Sequence, residues 1–123
     1  MRFLESLAFF YAGLAVICAA LGAHFMEDRW HDADAPRQFS TATRILFWHA
    51  IGLWICCSSV PPMRLQGGLM AISTALFCAA VFSLSLGGEP FWGAVAPVGG
   101  LGMISAWIWM GVSRIRSSPP EIL

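Results

Sequence analysis

Three side chains set in or beside long apolar runs carry groups suited to binding or reaction: His24, Arg44 and His49. Imidazole serves as metal ligand, proton carrier or hydrogen-bond partner near neutral pH. Guanidinium is a permanent cation that suits carboxylate and phosphate oxygens. Ionisable groups are costly inside a lipid layer, and where they persist they commonly mark a working site. Arg44 precedes His49 by five residues, and the polar stretch 27–34 separates both from His24. If the flanking runs are antiparallel helices, that stretch brings the two histidines to the same half of the layer. The structural reading has them bonding to each other, to backbone carbonyls or to water, knitting two helix ends together. A second reading is a lipid headgroup with its phosphate near Arg44. A third is axial ligation of a haem or chlorophyll-type pigment by imidazole. Catalysis or proton relay is the least supported, because no carboxylate lies deep in an apolar run. His31, among Trp30, Asp32 and Asp34, reads as solvated.

The remaining chemistry-bearing residues point nowhere sharper. Cys18, Cys56, Cys57 and Cys78 all fall in apolar runs without the spacing of a zinc site, and read as small core residues. There is no glycine-rich phosphate loop, no G-x-S-x-G elbow and no H-E-x-x-H helix. The expectation is a protein that is not an enzyme.

The elements that must carry these groups follow from composition. Of 123 residues 58% are hydrophobic and 11% charged, against about 25% charged in an ordinary soluble domain. Such a chain cannot coat itself for water, so lipid is the solvent for most of its surface. A net charge of zero gives no case for nucleic acid. A hydrocarbon layer needs roughly 20 apolar residues of helix per crossing. Four segments meet or approach this, predicting helices over 3–26, 34–60, 65–86 and 91–113. The fold expected is all-α, a single four-helix transmembrane bundle over 1–116, with a short C-terminal tail over 117–123. The N-terminal apolar stretch exceeds the usual signal-peptide core and reads as a retained helix.

The interruptions are chemically clear. The acidic stretch from Glu27 to Asp34 ends the first run, Pro61 and Pro62 end the second, and Gly87-Gly88-Glu89-Pro90 ends the third. Asp34 with Pro36 predicts a capped start for the second helix, outside the hydrocarbon, with Phe39, Ala42, Leu46 and His49 on one face. Four crossings put both termini on one side. Arg2, Arg64, Arg114 and Arg116 then share it, so that side is expected to be cytoplasmic, stromal or matrix. Helices in lipid associate by close backbone approach. Ala15, Ala19 and Ala23 offer a ridge of small residues on the first helix, and Ala96, Gly99, Gly100 and Gly102 offer one on the fourth.

These segments also carry an ordered set of motifs. Leu21-Gly22-Ala23-His24 resembles the G-A-H that ends the first helix in the DUF423 (transmembrane protein 256-like) family. Phe39-Ser-Thr-Ala-Thr-Arg44 with Trp48-His49-Ala50 resembles its F-x-T-x-x-R-Y-x-x-Y-H-A. Phe82-Ser83 with Ser85-Leu86, and the run from Gly93 to Gly100 followed by Trp107, are similar to its third- and fourth-helix motifs. Ile45 and Ala96 stand where the family has tyrosine and threonine, so polar helix groups are lost while His24, Arg44 and His49 remain. The resemblance implies a four-helix membrane protein without an established activity. The function expected is therefore that of a non-catalytic accessory or assembly subunit, packed in the bilayer against other membrane subunits or itself, in a photosynthetic or respiratory membrane among others. The alternative is a small ligand-, lipid- or pigment-binding protein or transporter using His24, Arg44 and His49.

Overall fold

A computed structural model describes residues 2–25 and 27–117. Helix α1 spans Arg2–Ala20 and continues as one π-helical turn over Leu21–Phe25. Helices α2, α3 and α4 span Ala35–Ser58, Arg64–Ser85 and Trp92–Ser117. Among the described residues the chain is all-helical, four antiparallel helices forming one bundle. The predicted helices are all present. Helix α4 runs a turn further than 113, its last turn carrying Arg114 and Arg116 against the negative helix end. Met26 and the tail beyond Ser117 lie outside the described residues.

The starts and stops have local causes. Asp34 was expected to cap α2, but its backbone is already helical (φ −86°, ψ −18°) and its side chain makes no cap. A capping residue needs extended backbone. Asp32 takes the role instead, its Oδ1 accepting from the N–H groups of Asp34 (2.9 Å) and Ala35 (2.8 Å). Asp34 pairs with Arg37 at 3.3 Å. Helix α3 ends at a left-handed Gly87 (φ +83°), with Gly88 N–H donating to Ser83 O and Gly87 N–H to Leu84 O. That is the double bond that closes a helix on glycine. The ring of His31 lies against Gly87, and His31 Nε2 is 2.9 Å from Asp32. The first loop thus folds onto the α3–α4 turn, with His31 still exposed.

The core sits around α2 and α3, with α1 on one flank and α4 on the other. Phe39, Ala42, Leu46 and His49 are all buried, as their spacing predicts, and Ala50, Leu53 and Cys56 extend the stripe. Gly99 and Gly102 let α4 press onto α3. A methyl group on Gly99 would stand 2.6 Å from Phe77 N, and one on Gly102 would strike the Ser73 side chain. Polar bonds between helices include Tyr11 hydroxyl to Ala71 O at 2.8 Å, Gln66 Nε2 to Ser113 Oγ at 2.6 Å, Cys78 Sγ to Ala42 O at 3.6 Å, and the histidine contact below.

Among the described residues three helices are long and apolar enough to cross a membrane: Arg2–His24, Arg64–Ser85 and Trp92–Ser117. Helix α2 is long enough but too polar, because Arg37, Gln38, Ser40, Thr41, Thr43 and Arg44 crowd its first half. It nevertheless runs beside α1 for its full length. Gly22 lies on Phe39, Ala15 shares a buried cluster with Leu46, and Ala8 shares another with Leu53. Seven residues along α1 match seven back along α2, so α2 spans whatever layer its neighbours span.

Candidate functional site

The α1–α2 register decides what the three candidate residues can do together. It sets His24 level with Arg37 and His49 level with Ala12, an axial separation of about 18 Å at 1.5 Å per residue. The expectation that the two histidines meet at one helix end is thereby corrected. The first loop does join the ends of α1 and α2, but His49 lies more than halfway along α2, well below that end.

His49 turns toward α4. Its Nδ1 is 2.8 Å from Ile45 O, and the indole Nε1–H of Trp107 donates to its Nε2 at 3.0 Å. A carbonyl only accepts and an indole only donates. The imidazole is therefore neutral, with its proton on Nδ1 and its Nε2 lone pair already used. The rings meet edge to face, centroids 5.8 Å apart. Gly52, one turn further along α2, makes room for the indole: a methyl group there would stand 2.8 Å from Trp107 Cζ2 and 2.7 Å from Met70 Sδ. His49 is 7% exposed and has no free lone pair for a metal. In this arrangement His49 forms a polar bond between α2 and α4. His24 is exposed on the π-helical turn. Among the described residues no three His, Cys, Asp or Glu side chains gather as a metal would require.

Arg44 belongs to a different place. It lines a groove of about 330 Å³ between the end of α1 and the start of α2, with Cys18, Ala19, Gly22, Ala23, Phe39 and Ser40. Thr43, Pro36 and Trp30 complete the wall. Ala19 and Ala23, expected as a packing ridge, are instead exposed groove wall, and only Ala15 of that ridge is buried in the core. The groove exists because α1 presents small residues where α2 presents Phe39. The π-helical turn carries Gly22 against the Phe39 ring, and a methyl group on Gly22 would stand 2.9 Å from Phe39 Cε1. Phe39 is held from behind by Trp30 and Phe82, at centroid distances of 5.3 and 5.0 Å, both edge to face. Single π-helical turns recur at functional sites in helical proteins.

Electrostatically the groove is simple. Among the described residues no carboxylate pairs with Arg44, whereas Arg37 is paired with Asp34. Arg44 stands level with Ile17 on α1, about 10 Å below His24 along the axis. Thr43 hydroxyl is turned back to Phe39 O at 2.8 Å, leaving the exposed Ser40 as the other hydroxyl on the groove wall. Of the α4 residues expected as a packing face, Gly99 is buried on α3 and Gly102 packs on Ser73, while Ala96 and Gly100 are half-buried beside them. The sequence reading did not single out Trp30, Phe39 or Cys18 as groove residues, nor Trp107 as the partner of His49. Only the i, i+3 pair His49 and Gly52 hinted that a large ring crosses α2 there.

Comparison with known proteins agrees with this architecture. The chain is 28% identical over 109 residues to the UPF0382 membrane protein YwdK of Bacillus subtilis (strain 168), covering 84% of this chain and 88% of the relative. No solved structure matches it. Residues 18–100, which hold the groove, His49 and the whole of α3, match the model of a protein family of unknown function, and the chain belongs to that family, DUF423.

Proposed function

We propose that this membrane protein is non-catalytic and holds an amphiphile, with its chain against lipid and its head at the first-loop end, in the groove between α1 and α2. The observation that carries the reading is the groove itself. It is a cavity of about 330 Å³ with largely apolar walls between the end of α1 and the start of α2, with one cation along it. Ligand sites are typically concave, mostly apolar and furnished with a few placed polar groups. Nothing comparable supports catalysis: His49 is locked by two bonds, and the hydroxyls of Thr43, Ser85 and Ser105 are returned to their own helices.

Filling the groove tests this. Protein purified in mild detergent is expected to carry lipid-mass adducts in native mass spectrometry. Ala19→Phe, at an exposed wall position, is expected to remove them while leaving the helix content and melting temperature as they were. The same adducts on the wild type and on Ala19→Phe would sink the proposal.

A further inference from the structure

We infer that the groove selects a singly charged anionic head, a carboxylate or a phosphodiester, and that Arg44 is the residue that reads it. The inference rests on the amphiphile reading of the groove and adds the charge of the ligand. Arg44 is a guanidinium in the part of α2 that runs beside apolar α1, about two turns below the end of that helix. An arginine at that depth is retained only with an anion, or with water drawn in to it. No carboxylate among the described residues meets that need, although the first loop is rich in them. Asp32 is taken by the N-terminus of α2 and by His31, and Asp34 by Arg37. A ligand oxygen is the partner that the groove leaves room for, and Ser40, one turn before Arg44 and on the same wall, can donate a second hydrogen bond. Guanidinium binds carboxylate and phosphodiester oxygens through paired N–H donors, which gives the head a fixed orientation.

The limit to one charge comes from the loop. Residues 27–34 hold four carboxylates, Glu27, Asp28, Asp32 and Asp34, against Arg29. Trp30, in the middle of that stretch, forms part of the groove wall, so the acidic loop borders the mouth. A monoanion meets Arg44 and is neutralised. A dianion keeps an unmatched charge beside a loop of net negative charge, in a region where lipid and protein screen poorly. The same loop disfavours soluble polyanions entering from water.

Cys18 supplies the readout, because its half-buried thiol lines the groove while Cys56 and Cys78 are buried. The full chain is placed in phosphatidylcholine nanodiscs and its alkylation at Cys18 is followed by peptide mass spectrometry. Oleate and phosphatidylglycerol are each expected to slow labelling of Cys18 by about tenfold, the size of one charge-assisted contact. Oleyl alcohol, inorganic phosphate and phosphatidic acid at a pH where its monoester is doubly charged are expected to protect far less. In Arg44→Gln the advantage of the monoanions is lost, and Arg44→Lys, a point charge without the planar fork, restores only part of it. Equal protection by oleyl alcohol and oleate, or monoanion protection that survives Arg44→Gln, overturns the charge recognition while leaving the amphiphile groove intact. Protection by dianionic phosphatidic acid equal to that by phosphatidylglycerol overturns the single-charge limit. If none of the amphiphiles slows labelling, the groove reading falls with it.

Discussion

Arg44 and His49 sit five residues apart on one helix, and the structure treats them in opposite ways. His49 faces inward, where Ile45 O and the Trp107 indole use both its nitrogens and Gly52 clears space for the ring. Arg44 faces outward onto a groove whose other wall is alanine and glycine, and no described carboxylate answers it. Five residues on an α-helix is about 140° of rotation, so one helix can serve a closed interface and an open one without conflict. Polarity in a membrane helix therefore does not by itself mark a site. The group whose bonding is completed within the chain holds the bundle together; the group left incomplete is where the proposed ligand would be met. The same contrast holds for small residues. Gly99 on α4 is filled by a neighbour's backbone and Gly52 on α2 by a ring, while Ala19 and Ala23 on α1 leave space.

The closed side should break hardest. Gly99→Ala places a carbon 2.6 Å from Phe77 N, a backbone atom that cannot swing aside. Overpacking of this kind costs about 1–3 kcal/mol, occasionally more. Thermal unfolding in detergent is expected to fall clearly for Gly99→Ala and not at all for Gly93→Ala, which meets nothing within 4 Å. Equal melting of the two would mean that α3 and α4 are further apart than described.

His49→Phe should come next. It keeps a ring in the space above Gly52 but loses the part-buried bond from the Trp107 N–H, and a lost hydrogen bond of this kind costs about 0.5–1.5 kcal/mol. Adding Trp107→Phe removes the donor itself, so the double variant should be less unstable than the two single losses added together. The coupling expected for a bond between membrane helices is about 0.6 kcal/mol, with a ceiling near 1.7. A coupling of zero would remove the His49–Trp107 bond from the account of what joins α2 to α4.

How much of this was legible in the sequence follows from what each feature depends on. Helix number, order and approximate ends depend on local chemistry: the prolines at 61 and 62, the acidic run before Asp34, and the glycine at 87 that takes the left-handed turn. The buried stripe of Phe39, Ala42, Leu46 and His49 also showed, because helical periodicity is local. The site depended on register between helices, which no local signal carries. His24 and His49 looked paired because both flank the first loop, yet the distance from the loop to His49 is more than half of α2. Asp34 looked like the cap because it precedes Pro36, but an aspartate two residues earlier already held the amide groups. A ridge of alanines reads the same whether a neighbour fills it or leaves it open.

Gly22→Ala tests the border between the two regions. The added methyl meets the edge of the Phe39 ring at 2.9 Å, and a ring can turn where a backbone cannot. The stability cost is expected to stay below that of Gly99→Ala, at about 1 kcal/mol or less. Trp30 and Phe82 both pack against the ring, so the groove is the side left for it to turn toward. Lipid adducts in native mass spectrometry should therefore fall although melting barely changes. Unchanged adducts would show that Phe39 does not shape the groove.

Arg44→Gln should have the smallest effect on the fold and the largest on the ligand. The side chain is exposed and makes no ion pair among the described residues, so its loss should alter stability by no more than about 0.5 kcal/mol in either direction. Removing a cation from beside apolar α1 even favours the membrane-inserted state slightly, which opposes any loss of packing along its stem. Native mass spectrometry should in contrast show fewer anionic-lipid adducts than on wild type, while His49→Phe keeps them as long as it stays folded. The two variants thus form a crossed pair, one that loosens the bundle and spares the groove, one that spares the bundle and empties the groove. If Arg44→Gln destabilises the chain as much as His49→Phe does, then Arg44 is tied into the fold, and the division of α2 into a closed face and an open one is wrong.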